Sequence, residues 1–470
     1  MLDYSPALMT DMYEYTMLDA CLRDGTANRK CVFEIFTRHL PLGRHYGVAA
    51  GQGRILDALE NFHLDDNDLK FLADRKVVGP ETIKWLENFH FSGSIKGYRE
   101  GEMFFPNSPI LQVEGTFGEC TLLETLLLSI LNYDSAVASA ASRMVSAAKD
   151  RPCMDMGGRR TNEWAAVAAA RAAVVGGFKG TANLLAAQMY GLNAIGTAAH
   201  CFTLVHDDER SAFESQIAAL GKNTTLLVDT YNIEEAVKTA VEVAGPELGG
   251  VRIDSGDIAY LTREARQMLD EAGWESCKIS ASNSLDEYII QDILRQGAKV
   301  DLFGVGERMI TAKSEPVFGG VYKLAAVEDQ QGNITPKIKI SENVEKITIP
   351  HFKKVYRFYG NDTGKAIADY ITVYDETLDD TKDLEIFDPS ATWKKKTVYN
   401  FTARPLLVPV FLGGKRVYDS PSLPEIQAYC RQQVDTLWDE VKRFDNPHSY
   451  YVDLSDRLWN IQQDLLRNRK

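Results

Sequence analysis

The chain has 470 residues, 45% hydrophobic and 25% charged, which suits an ordinary globular protein of two or three domains. A net charge of −14 argues against general nucleic-acid binding, so an anionic ligand has to be met by a local cluster of Arg and Lys. The seven cysteines are odd in number and lack C-x-x-C spacing, which argues against a disulfide framework and reads as reduced thiols in a cytoplasmic protein.

The opening residues carry Asp3, Asp11 and Glu14 with no basic region, unlike a signal peptide. Residues 5–24 read as a helix in which Asp11 to Met17 mixes aromatic, acidic and apolar side chains. A strand is expected over 31–36, then a basic turn, Thr37-Arg38-His39-Leu40-Pro41-Leu42-Gly43-Arg44. His39 and His45 have no supporting metal-ligand spacing. A helical run over 65–72 and short strands over 93–98 and 103–105 suggest a sheet-rich module closed at 110–113. Residues 120–133 read as a largely buried helix, continued by small residues over 135–149. Its apolar run, 122–131, is interrupted by Glu124 and too short to span a bilayer, so no membrane partner is expected.

The stretch from Asp155 to His200 organises the rest. A loop with Arg159 and Arg160 leads into an alanine-rich helix over 163–175, then a turn, Gly176-Gly177-Phe178-Lys179-Gly180-Thr181. A helix over 183–190 and a short strand over 194–196 end in Thr197-Ala198-Ala199-His200. Loop, helix, loop, helix, strand is the rhythm of a β/α barrel, whose functional residues sit on loops after strands. Arginine forks and glycine-rich turns suit an anion, and a histidine after a strand can take a proton or a phosphoryl group. The bland alternative is a buried small-residue helix between surface arginines.

Later strand ends repeat the format. An apolar run over 225–229 ends in Asp229-Thr230-Tyr231-Asn232, and Gly250-Val251-Arg252-Ile253 leads into Asp254-Ser255-Gly256-Asp257. Residues 278–282 end at Asn283, and 301–306 end in Gly304-Val305-Gly306, the form of a phosphate loop late in a barrel. Gly221-Lys222-Asn223 is not a Walker loop, and His206 receives no role. Residues 321–327 are expected to rejoin the first sheet, with 337–350 and 353–359 as surface strands. An acidic-then-basic excursion over 377–395 and an amphipathic helix over 422–444 follow.

Eight motifs carry a family resemblance. They are T-D-x-Y at Thr10 to Tyr13, L-L-E-T-x-L-L-x-x-L-N at Leu122 to Asn132, D-x-G-x-R-R at Asp155 to Arg160, and G-G-F-x-G-T-x-N at Gly176 to Asn183. G-T-x-A-H at Gly196 to His200, R-x-D-S-G-D at Arg252 to Asp257, D-x-F-G-V-G at Asp301 to Gly306 and P-x-x-G-G-V-Y-K-L at Pro316 to Leu324 complete the set. Through most of its length the chain resembles the nicotinate phosphoribosyltransferase family. One departure is Met156, where that family usually has Phe.

The resemblance implies an α/β fold: an irregular β/α barrel of the type II phosphoribosyltransferase kind over 121–320. It also implies a sheet-rich N-terminal α+β domain over 1–120, completed by about 321–375, and a C-terminal extension with helices over 376–470. The implied reaction joins nicotinate to 5-phosphoribosyl 1-pyrophosphate, with ATP hydrolysis coupled through a phosphohistidine, in NAD biosynthesis and salvage. A nicotinamide-using relative and a catalytically silent nucleotide sensor are the competing readings.

Position by position, His200 matches the phosphorylated histidine, and Arg159 and Arg252 match residues around the pyridine and ribose. Asp254 matches an acid beside the ribose and its Mg2+, with Asp229 on the adjacent strand end. Gly304 and Gly306 match the loop around the ribose 5-phosphate; Arg160, Lys179 and Phe178 lie in the matching loops. Ala182 stands where nicotinamide-using relatives carry an aspartate, which implies the acid as acceptor. Tyr13 implies stacking on the pyridine bound in a neighbouring subunit, hence a homodimer with shared sites.

Overall fold

The computed structural model describes residues 5–40, 43–313 and 315–468. Asp3 and the Pro41 and Leu42 of the basic turn lie outside the described residues. The chain divides into two compact units, Met1–Ala136 with Val317–Lys470, and Val137–Pro316. No described helix is long and apolar enough to cross a membrane, and all seven cysteines are free thiols.

The first unit is built on a seven-stranded sheet whose central members are Gly320–Glu328, Lys30–Thr37, Leu111–Thr116 and Ser94–Gly97, all antiparallel. Every residue of Lys30–Thr37 after the first is buried, as befits a strand covered on both faces. Phe33 stacks on Tyr322 across the pairing, ring centroids 4.6 Å apart. A second sheet orders Phe401–Pro405, Lys353–Gly360, Ala366–Val373 and Val452–Leu454.

Several details differ from the sequence reading; the helices expected over 5–24 and 422–444, for instance, are each interrupted, giving Met12–Asp24 after a short turn at Pro6–Leu8, and Leu423–Thr436 followed by Asp439–Lys442. Residues 117–148 form two helices, because Thr116 and Glu119 make a capping box that starts Phe117–Thr121 before the long helix Glu124–Ala148. Residues 337–350 carry no strand: after the Lys337 N–H donates to the Ala325 carbonyl the backbone leaves the ladder, and the Lys339 N–H donates to the Thr348 hydroxyl instead. Lys353–Gly360 is a strand but not a surface one, since Lys353 and Arg357 are buried on ionic partners. The excursion at 377–395 includes half of a hairpin, Leu384–Phe387 paired with Lys395–Val398, which buries Ile386 and Val398 against Phe358 and Phe401.

The second unit holds five parallel strands in the order Cys153–Asp155, Leu302–Val305, Lys278–Ser282, Gly250–Ile253 and Thr225–Leu227. Isolated parallel bridges extend the array from Asp155 to Thr181 and from Thr181 to Ala194. Around this array the neighbours follow chain order, as in a β/α barrel with one open seam. Among the described residues no bridge closes the ring between Ala194 and Thr225. Residues 194–196, expected as a strand, contribute only that bridge. The pairing stops before Gly196, after the Ile195 N–H donates to the Thr181 carbonyl.

Helices connect the strands, and their starts are set by side-chain caps. Asn162, Asn183, Asn232, Asp257 and Asp286 each accept backbone N–H bonds from the first turn that follows. Asp257, the last residue of R-x-D-S-G-D, is therefore a helix cap. Helix Glu163–Val175 is buried from Ala166 through Val175, the all-round burial its alanine content allows.

Candidate active site

The polar residues expected to do chemistry in the second unit sit where its strands end. Gly250–Ile253 pairs in parallel with Lys278–Ser282, with Arg252 beside Ser280 and Ile253 beside Ala281, so Asp254 arrives next to Ser282. All three nitrogens of the Arg252 guanidinium donate. Its Nε donates to Ser282 Oγ at 2.9 Å, Nη1 to Thr197 Oγ1 at 2.8 Å and to the Ala198 carbonyl at 3.3 Å, and Nη2 to Asp254 Oδ1 at 2.9 Å. One planar fork thus fixes three loops.

Asp254 Oδ1 also accepts a short bond from the Ser282 hydroxyl, leaving Oδ2 3.8 Å from His200 Nε2. Burial acts to raise the Asp254 pKa, but hydrogen bonds from Ser282 and Arg252 outweigh it and hold the carboxyl below the usual range. Asp229 Oδ2 accepts from the Asp254 N–H at 2.9 Å and from Ser255 Oγ at 2.7 Å. Its Oδ1 is buried, has no hydrogen-bond partner, and lies 3.9 Å from His200 Nε2. His200 opens helix His200–Leu204 with 41% of its side chain exposed and Nδ1 3.3 Å from Thr230 Oγ1. One ring edge of His200 therefore faces two carboxylates and the other a hydroxyl.

The loops toward the other end of the sheet are held differently. Asp155 accepts from the Gly157 N–H at 2.8 Å and from Thr181 Oγ1 at 2.6 Å, tying the arginine loop to the glycine-rich turn. Burial nevertheless raises its pKa. Arg159 and Arg160 are exposed on the turn Gly158–Arg160, and neither makes a salt bridge among the described residues. Arg160 acts at longer range on Glu307, as Lys313 does at 3.1 Å. Ala182 and Lys179 are exposed, whereas Phe178 is fully buried.

Met156 lies against Gly304: a Cβ there would meet its Sδ at 2.6 Å, so the bare glycine makes room for the thioether. A Cβ on Gly306 would likewise meet the Met156 carbonyl oxygen at 3.3 Å. Tyr13 belongs to the first unit, is 42% exposed, and has its hydroxyl pKa raised by burial and then by Glu124.

The structure therefore joins His200, Asp229, Asp254 and Arg252 in one cluster, and places Arg159, Arg160, Ala182, Gly304 and Gly306 on neighbouring loops of the same unit. The reading of the sequence missed Ser282, Thr230, Ser255 and Thr197, the hydroxyls that hold the cluster. A signal was present: Asp229-Thr230 and Asp254-Ser255 repeat a carboxylate-then-hydroxyl pair at adjacent strand ends. Among the described residues no group of three or more His, Cys, Asp and Glu side chains could enclose a metal ion.

Comparison with known proteins agrees along the whole chain. The N-terminal domain family of nicotinate phosphoribosyltransferase matches residues 8–132, the nicotinate phosphoribosyltransferase family proper matches 152–376, and its C-terminal domain family matches 352–462. A Bacillus subtilis nicotinate phosphoribosyltransferase is 40% identical over 476 aligned positions, covering 100% of this chain and 96% of its own. A Mycobacterium tuberculosis nicotinate phosphoribosyltransferase is 51% identical over 329, covering 68% of this chain and 72% of its own. The crystal structure of human nicotinic acid phosphoribosyltransferase superposes with a TM-score of 0.84 at 27% identity, covering 97% of this chain and 99% of that one. With the geometry and the matches in agreement, the chain belongs to the nicotinate phosphoribosyltransferase family.

Proposed function

We propose that the protein transfers the phosphoribosyl group of 5-phosphoribosyl 1-pyrophosphate to nicotinate in NAD biosynthesis, with ATP hydrolysis coupled through phosphorylation of His200. The observation that carries the coupling is the asymmetry of the His200 ring: Asp229 Oδ1 and Asp254 Oδ2 at 3.9 and 3.8 Å from Nε2, a hydroxyl beside Nδ1. Two carboxylates favour the tautomer with its proton on Nε2 and leave the Nδ1 lone pair as nucleophile. Nδ1 attacks the γ-phosphorus of ATP, the bond to the bridging oxygen breaks, and ADP leaves with the electron pair. The positive charge that results on the ring faces Asp229 and Asp254.

In the transfer step the pyridine nitrogen attacks the anomeric carbon as pyrophosphate departs, and positive charge develops on the ribose. Asp254 is suited to face that charge, because its partners keep it ionised. Arg252 holds Asp254, Ser282 and the Thr197 loop in place, since each of its three nitrogens donates within the cluster. Exposed Arg159 and Arg160 offer forks for the nicotinate carboxylate and phosphate oxygens, and backbone at Gly304 and Gly306 suits the 5-phosphate. Asp254, whose Oδ2 is left over by its hydrogen bonds, would hold Mg2+, which would supply charge neutralisation on the leaving pyrophosphate. Tyr13 serves the site of a second subunit in a homodimer, and the protein works in the cytoplasm.

The decisive experiment incubates the protein with ATP labelled on the γ-phosphate. An acid-labile, base-stable label that His200→Ala abolishes is expected, together with nicotinate mononucleotide formed from the sugar pyrophosphate. Equal labelling of the variant defeats the assignment.

A further inference from the structure

Strand Cys153–Asp155 ends on a carboxylate that is 1% exposed and makes no salt bridge among the described residues. Its neighbour across the sheet is Thr181, fully buried, which bridges in parallel to Asp155 on one side and to Ala194 on the other. Valine would suit such a place, since a β-branched side chain packs well inside a sheet. Threonine puts a hydroxyl there instead, and a buried hydroxyl beside a buried carboxylate is tolerated only where both are hydrogen-bonded.

The bonds of this pair lead out of the sheet into two loops. Thr181 Oγ1 donates to Asp155 Oδ2 at 2.6 Å and accepts the Asn183 N–H at 3.0 Å. The Ala182 N–H donates to the Asp155 carbonyl at 2.8 Å, so the peptide groups on both sides of Ala182 are held. Asp155 Oδ1 accepts the Gly157 N–H at 2.8 Å. The Arg160 N–H donates in turn to the Gly157 carbonyl at 2.8 Å, so the turn carrying Arg159 and Arg160 starts from the residue that Asp155 grips. Gly157 is itself packed in: a Cβ there would meet Ile310 Cβ at 2.8 Å and the Gly306 carbonyl oxygen at 2.9 Å. Arg159, Arg160 and Ala182 are exposed, and the buried bonds beneath them tie their two loops together.

We propose that Thr181 and Asp155 are positioning residues for the acceptor: their hydrogen-bonded pair holds the turn of Arg159 and Arg160 and the loop of Ala182 at one fixed spacing, the spacing that receives a carboxylate-bearing pyridine. An apolar pair of similar size would pack the strand end at a lower cost of burial. It would leave the Gly157 and Asn183 N–H groups without their common anchor. An arginine fork recognises a carboxylate by geometry, and a loop that has to be ordered when the ligand arrives weakens binding. The role in recognition rests on the reading of these loops as the nicotinate site given above; the hydrogen-bonded corner does not.

The test is steady-state kinetics of three variants. Thr181→Val keeps the shape and removes both bonds of the hydroxyl, so the KM for nicotinate should rise about tenfold while kcat changes by less than about twofold. A merely structural role would lower the folded fraction, and with it the apparent kcat, without moving KM. Thr181→Ser keeps the hydroxyl and should return the KM to the wild-type value. Thr181→Cys, whose thiol is a weak donor and acceptor, should fall between the two. Where Thr181→Val does not fold, the cysteine and serine variants carry the comparison, and an equal KM in those two overturns the proposal. A rise in Thr181→Ser as large as in Thr181→Val overturns it as well, because shape rather than the hydroxyl would then matter. A wild-type protein that forms no nicotinate mononucleotide defeats the reading of the acceptor, and the positioning role falls with it. Product formed by the wild type beside an unmoved KM in Thr181→Val defeats the positioning role alone.

Discussion

Two charged clusters, one in each unit, are each built on an arginine held by carboxylates and are opposite in character. In the first unit Arg357, fully buried, donates from Nε and Nη2 to the two Asp369 oxygens at 2.7 and 2.9 Å, from Nη1 to Glu102 at 2.7 Å, and from Nη2 to the Met103 carbonyl at 2.9 Å. Glu102 is met on its other oxygen by Arg404 and Tyr429, and rings of Phe105 and Tyr450 flank the guanidinium. In the second unit Arg252 is as well bonded, but the carboxylates around it are not closed off: Asp229 Oδ1 has no partner, Asp254 Oδ2 is left over, and His200 is 41% exposed. A cluster that only holds a fold together satisfies every charge from within. A cluster that must receive a ligand leaves donors and acceptors open, at a cost in stability, for the ligand to complete.

The widest gap between the two should appear when one residue is removed from each. His200→Ala should lower ATP-stimulated turnover by about 100-fold or more while leaving the fold intact, because it removes the nucleophile proposed for ATP coupling. Steady-state rates with and without ATP, beside a melting curve unchanged from wild type, check both halves. Arg357→Met should do the reverse. It strands Asp369 in the interior and costs about 3–5 kcal/mol of stability by denaturant titration. Adding Asp369→Leu should restore part of that loss, since an apolar pair tolerates the site better than a lone buried charge. If the single variant melts like the wild type, the closed cluster does not hold the fold together.

A third test reaches the ligand side. Ala182→Asp puts an extra carboxylate in the exposed loop beside Asn183, where it would repel an anionic acceptor. A charge-assisted bond to nicotinate is worth on the order of 1.5–3 kcal/mol. Loss of one such bond lowers kcat/KM for nicotinate by about 10- to 100-fold. The KM for the sugar pyrophosphate should stay nearly constant. Equal use of nicotinamide by the wild-type protein would defeat this account of specificity.

What could be read in the sequence divides along the same line. The strand ends of the second unit were legible because each is a short apolar run closed by Asp, Arg or Gly, so His200, Asp229, Asp254 and Gly304 stood out one at a time. Their mutual arrangement was not, because it depends on register: Ser282 reaches Asp254 only through the parallel pairing of Arg252 with Ser280. In the first unit Lys353 and Arg357 read as surface residues because charge in an alternating segment ordinarily marks the solvated face. Their partners Glu34 and Glu102 come from far along the chain, with Glu102 lying 255 positions from Arg357, and no local pattern announces such a pairing. Phe178 lies in a turn that suggests ligand contact, yet its aromatic side chain is fully buried. The capping Asn and Asp residues were visible as strand-end polar groups, but their backbone bonds show that several organise helices.

The smallest effect tests whether the closed region has an exception. Asp453, on Val452–Leu454 beside Ala366–Val373, is only 3% exposed, and burial first, then the charge of Asp388, push its carboxyl up to about 7. Lys396 acts in the opposite direction but does not compensate. A raised carboxyl pKa means that the folded protein holds a proton the unfolded chain has released, since an unfolded Asp titrates near pH ~3.9. The stabilising contribution of that proton is present at the acid end and is lost as pH rises from the unfolded value through about 7. Asp453→Asn removes the titration, so the variant should melt at a higher temperature than the wild type above neutrality, with the difference shrinking as the pH falls below it. Thermal melts of both proteins at matched ionic strength decide the matter. A difference that does not vary with pH would mean that Asp453 already has its charge satisfied, as Asp369 does by Arg357, and the first unit would then be closed at this point too.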